Sequence, residues 1–246
     1  MVFKLWSVWH FLYLLSPFAI FCALYLLTKN RSDKTKYIVG AIFGAISIGI
    51  LVLRNVDIFI RTGWDPEIIP LQVCHIGSIV TGLALLTKNK SLIITSFCFN
   101  LTPAFLAMIF ADSLANYDTL LKIRPQTYIW GHIFIIVCAL YGVLTFKPKC
   151  TSRDFCTALI IITCIAVVAV VCNSAFRLIP SWEPNYFYLF DYSGTPLKFL
   201  YNAFPISNYG WFTINWLYTL TLFAVFVMVF IGLYYLMRII VKKQTN

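Results

Sequence analysis

The sequence predicts an all-α fold: a polytopic membrane bundle of seven transmembrane helices, with the N-terminus outside and the C-terminus in the cytoplasm. Three observations carry that expectation. Only 11% of the 246 residues are charged and 61% are hydrophobic, whereas a soluble domain carries about 25% charged residues. Seven apolar stretches approach or exceed the ~20 residues that cross a bilayer core. The charges between those stretches fall unevenly on alternate connections.

Taken in chain order, the stretches cover 5–27, 37–60, 69–87, 92–111, 127–146, 155–176 and 211–237. The first is too long for the apolar region of a signal peptide and lacks a small-residue cleavage site, so it reads as a span. Connections such as Lys88-Asn89-Lys90 are short and force antiparallel neighbours. One set of connections holds Lys29, Arg31, Lys34, Lys36, Lys88, Lys90, Lys147, Lys149, Arg153, Arg238, Lys242 and Lys243, with only Asp33 and Asp154 as acids. The other balances Lys4, Arg61, Lys122, Arg124, Arg177 and Lys198 against Asp65, Glu67, Asp112, Asp118, Glu183 and Asp191. The basic set is expected in the cytoplasm. Residues 1–246 form a single domain, without a linker or an internal repeat.

The net charge of +10 follows from this topology. No basic stripe with interleaved aromatics lies outside the apolar segments, so no nucleic-acid partner is expected. The eight cysteines fall mostly in apolar runs and show no CxxC or zinc-ligand spacing; they read as small hydrophobes, without a disulfide framework. The longest connection, 178–210, carries Trp182, Tyr186, Tyr188, Tyr192, Tyr201 and Tyr209 with Pro180, Pro184, Pro196 and Pro205. Prolines argue against another span. Two readings fit it: an interfacial aromatic belt, or a lid over a site.

Polar residues within the spans gather at one depth. His10, Arg54, Cys74, His75 and His132 each lie about six residues in from the outer end of their span, roughly 8–10 Å below the boundary at 1.5 Å per residue. Asn173 falls near the same level. Ionisable groups in a bilayer face the bundle interior and pair. Arg54 and Asp57 are three apart on one helix face, so they read either as a self-neutralising pair or as part of a binding cavity. Cys74 is the candidate nucleophile, and His132 at matching depth the candidate base. Cys74 and His75 point about 100° apart on a helix, which leaves His75 a neighbouring or supporting role. Asn100 precedes Pro103 in the fourth span, where it satisfies carbonyls freed by the proline or faces the cavity. His10, Arg54 and Gln72 are candidates to bind a head-group phosphate or an oxyanion. A metal or haem held by His10, His75 and His132 is a further reading, which spacing neither supports nor excludes; no metal site and no cofactor is expected.

The segment Ile69-Pro70-Leu71-Gln72-Val73-Cys74-His75-Ile76 resembles the Leu-Pro-Leu-His-Leu-Cys signature of the YwaF-type bacterial integral membrane proteins, a family related to the vertebrate transmembrane-protein-164 acyltransferases. His10, the Trp130-Gly131-His132-Ile133-Phe134 stretch, Asn173 and Asn185-Tyr186 resemble further elements of that family in the same order. The resemblance implies a bacterial cytoplasmic membrane protein with Cys74 and His132 as catalytic pair. The implied activity is acyl transfer to or from a membrane phospholipid through a thioester. A more distant androgen-induced family implies lipid-ester hydrolysis instead. Gln72 stands where the signature has His, His75 follows the Cys, and Phe99-Asn100-Leu101-Thr102-Pro103 replaces a Gly-rich stretch. A transporter or binder of a small anionic or lipidic solute, using the same polar slab, is the alternative expectation.

Overall fold

The computed structural model describes residues 3–180, 182–189, 197–210 and 213–245. Asp191, Tyr192 and Pro196 of the long connection, and position 211, where the seventh span is predicted to begin, lie outside them. Among the described residues seven helices are long and apolar enough to cross a membrane. Span one is Val8–Thr28, span two Asp33–Thr62 and span three Val73–Thr87; a 3₁₀ turn, Pro66–Ile68, leads into span three. Span four is Lys90–Ile109, span five Ile123–Phe146, span six Ser152–Phe176 and span seven Trp216–Thr245.

Side-chain caps mark the starts of spans one, two, four and six. Ser7, Ser32 and Asn89 accept hydrogen bonds from the backbone of His10, Thr35 and Leu92. Thr151 and Asp154 form a reciprocal capping box. Each satisfies an amide that the first turn leaves without a partner. Span two therefore starts at Asp33, four residues before its apolar run, and span seven extends eight residues past position 237. Before span seven, Ser207–Asn208 pairs antiparallel with Thr213–Ile214. This two-residue ladder is the extended structure found among the described residues.

Span five is the hub, packed against spans one, two, three and four. Fully 67% of its most apolar stretch is buried, against 17% for span six, which faces outward along most of its length. Spans two and three meet at two glycines. A Cβ on Gly44 would lie 2.7 Å from the Gly82 carbonyl oxygen, and one on Gly82 would lie 2.8 Å from the Gly44 carbonyl. Backbones this close admit only hydrogen at both positions, the small-residue crossing typical of membrane helices. Ser47 adds a hydrogen bond to the Ser78 carbonyl across the same seam.

The crossing sets the register of the polar residues. Arg54 lies ten residues beyond Gly44 and Cys74 eight residues before Gly82, on antiparallel helices. These are rises of about 15 and 12 Å toward the same end of the bundle. Span five approaches there too: a Cβ on Gly131 would be 3.9 Å from Ile50 of span two.

Span four stays helical past its proline. Residues Ser96–Asn100 form a π-helical turn directly ahead of Pro103. Proline lacks the N–H that the carbonyl four residues earlier would accept, and a π turn is one way to absorb that loss.

Candidate functional site

Four of the predicted site residues converge. Arg54, Cys74, His75 and His132 line one cavity of about 50 Å³, together with Ser78, Thr127, Tyr128 and Gly131. Spans two, three and five each contribute. His75 and His132 are buried and Cys74 is half-buried. Although adjacent on one helix, Cys74 and His75 both reach this wall.

The protonation of His132 follows from its surroundings. Its Nδ1 lies 2.7 Å from the Tyr128 carbonyl oxygen. A carbonyl only accepts, so in the neutral ring Nδ1 carries the hydrogen and Nε2 holds the lone pair. The Tyr128 ring packs 4.3 Å from the imidazole, centroid to centroid. This arrangement fixes both tautomer and orientation, as a general base requires. His75 Nδ1, in contrast, has no hydrogen-bond partner among the described residues.

Arg54 corrects the expectation that it pairs with Asp57. Asp57 accepts from Arg61 at 2.8 Å, and Arg54 turns to the turn between spans two and three. It donates to the Glu67 carboxylate at 2.9 Å, to the Glu67 carbonyl at 3.0 Å and to Asn55 at 3.2 Å. The same Glu67 oxygen accepts from Arg124 at the start of span five. The reason is directional: on a helix an acid placed before a base, as Asp57 is before Arg61, pairs better than the reverse order.

Five other candidates lie off the cavity wall. His10 uses both ring nitrogens structurally: its Nδ1 accepts from the Trp6 amide, and its Nε2 donates to the Met108 carbonyl at 2.9 Å. The three histidines therefore do not share a centre. Among the described residues no group of three metal-ligating side chains occurs. Asp57 neutralises Arg61. Asn100 is buried, facing Gly77, with no partner for either amide atom among the described residues; it does not take up the carbonyls freed by Pro103. Gln72 donates to the Asn185 carbonyl at 3.4 Å. Asn173 clamps Tyr186 on both sides, accepting from its N–H at 2.7 Å and donating to its C=O at 2.9 Å.

That clamp gives the connection after span six its form. Tyr186 and Phe187 are buried. The Tyr186 hydroxyl, with its pKa pushed up to about 12 by burial, stays protonated and donates to the Pro66 carbonyl. Tyr218 donates to the Tyr188 carbonyl at 2.9 Å. Phe187 and Tyr188 occupy left-handed conformations, with φ of 61° and 55°, costly for side chains of this size. The hydrogen bonds around them hold the segment in place. Burial, then the nearby Cys74 and Glu67, raises the pKa of the Tyr188 phenol. It comes from a connection, which the depth pattern along the spans does not reach.

Glu67, Arg124 and Tyr128 also belong to this end of the bundle. The sequence offered one signal for the first two: opposite charges at the same predicted end, in connections short enough to meet.

A second concavity lies between spans six and seven. It measures about 400 Å³ and is lined almost wholly by apolar side chains, among them Phe99, Ala166, Val167, Phe187, Phe223 and Phe226.

A family model described as the TMEM164 family matches residues 5–235. No curated protein and no solved structure matches the chain.

Proposed function

The chain belongs to the TMEM164 family, and from that premise we propose that it is an integral membrane lipid-acyl enzyme using Cys74 as nucleophile and His132 as base. The observation that carries this reading is the convergence of Cys74 and a tautomerically fixed His132 on one cavity. The resemblance of the segment around Cys74 to the acyltransferase signature supports it.

The proposed reaction has two halves. His132 Nε2 takes the thiol proton as sulfur attacks the ester carbonyl of a glycerophospholipid. The carbon–oxygen bond breaks, the acyl group stays on sulfur as a thioester, and the imidazolium returns its proton to the departing lysolipid oxygen. An acceptor alcohol, or water, then gives its proton to His132 and attacks the thioester, and the thiol is restored. Coupling proton transfer to attack avoids a lasting charge on sulfur in an apolar setting.

A cavity of about 50 Å³ has room for a few waters, each needing ~10–15 Å³ of such space. It accommodates a reacting carbonyl, with the lipid body outside. The segment 182–189 acts as a fixed roof over this end. In the proposed orientation the N-terminus lies outside a bacterial cytoplasmic membrane, and the cavity opens toward the outer leaflet. The carrier reading calls for a discontinuous helix at the binding site; span four instead remains helical through its π turn, which weighs against it.

Purified protein in phospholipid vesicles bearing a fluorescent acyl chain tests the proposal. Cys74→Ala is expected to abolish acyl release and transfer while the protein still folds and inserts. Unchanged turnover in that variant overturns the reading.

A further inference from the structure

Glu67 is held by two arginines from different spans, and it sits where a ligand would be more use. Arg54 lines the thiol cavity and is itself 17% exposed; Arg124 stands outside it at 40%. Both guanidinium groups converge on one oxygen, Oε2 of Glu67. Two guanidinium forks suit a tetrahedral anion with several oxygens better than a single carboxylate oxygen. The carboxylate is 45% exposed and rides on a three-residue 3₁₀ turn that Asp65 caps by accepting from the Glu67 amide at 2.7 Å. It can swing away without disturbing a span.

We propose that the Arg54–Arg124 pair is a phosphate-binding site and that the Glu67 carboxylate is its internal occupant, displaced when a phosphodiester anion of a phospholipid head group enters. The exchange replaces one negative charge with another, so neither arginine is left uncompensated and the Asp65 cap is retained. The head group would then rest on Arg54 at the rim of the cavity, with the glycerol esters beside Cys74. This inference rests on the lipid-acyl reading for its substrate, and it adds two residues, Arg124 and Glu67, that determine which lipids bind.

The test is calorimetric binding to the full chain in maltoside detergent, so it needs no turnover. The probes are dihexanoyl-phosphatidylglycerol, dihexanoylglycerol, which lacks the phosphate, and inorganic phosphate. Wild type is expected to bind the phospholipid at least tenfold more tightly than either of the others. Glu67→Gln keeps an oxygen acceptor for the arginines but removes the competing charge, and is expected to tighten phospholipid binding about threefold to tenfold. Arg124→Gln is expected to weaken it about tenfold, the scale of one charge-assisted pair. Dihexanoylglycerol binding as well as the phospholipid overturns the proposal, as does inorganic phosphate binding equally well, or a Kd unmoved by both substitutions. If Arg124→Gln fails to fold, Glu67→Gln decides alone. Binding retained in Cys74→Ala separates this site from the catalytic proposal: loss of turnover chemistry leaves it standing, and loss of binding leaves the thiol chemistry standing.

Discussion

The two concavities of this molecule differ in opposite senses. The groove between spans six and seven is about eight times larger, at about 400 Å³ against 50 Å³. Its wall is apolar, and its flanking helices are among the least enclosed in the bundle. The small cavity holds a thiol, two imidazoles and a guanidinium, drawn from spans two, three and five, which all pack against one another. The larger volume lies beside span six, the least buried span, at 17% of its most apolar stretch. The polar groups follow the glycine crossing of spans two and three and the hub position of span five, which hold them at fixed depth. Size and polarity have separated.

Three substitutions sharpen or break that contrast. His132→Gln removes the lone pair at Nε2 and is expected to lower acyl-transfer turnover by about 10²–10⁴-fold, the usual contribution of a positioned base; a loss under threefold in the vesicle assay would dissolve the functional distinction between the cavities. Gly44→Ala puts a methyl 2.7 Å from the Gly82 carbonyl oxygen and must part spans two and three. A destabilisation of about 1–3 kcal/mol is expected, measured by thermal unfolding in detergent, with turnover reduced because Arg54 and Cys74 lose their common register. Ala166→Trp fills the groove and is expected to change turnover by less than about threefold at saturating lipid. A hundredfold loss there would make the groove part of the machinery.

Much of the architecture was legible because lipid imposes a simple rule: an apolar run of sufficient length is a helix. The ends were less so. Span two begins at Asp33 because Ser32 caps it, and a cap overrides the polarity of Lys34 and Lys36. Depth alone brought Arg54, Cys74, His75 and His132 together, since each rise is a fixed step along a helix. Partner choice was not legible in the same way. Arg54 passes over Asp57 for Glu67 because side-chain direction along a helix matters as much as spacing. His10 and Asn173 read as site residues, yet they bond to backbone atoms of Met108 and Tyr186. Backbone carbonyls are present at every position and carry no residue signature, so such ties leave no trace in a sequence. The path of the chain at Phe187 and Tyr188 was illegible for a related reason: it depends on two left-handed backbone conformations that no aromatic residue announces.

The most direct measurement of the central claim is peptide mass spectrometry of the protein incubated with a phospholipid donor, without acceptor, and quenched in acid within seconds. The account predicts an acyl mass on the peptide containing Cys74, removed by neutral hydroxylamine and absent in His132→Gln. Turnover with Cys74 unmodified, or an acyl group on another residue, would contradict it.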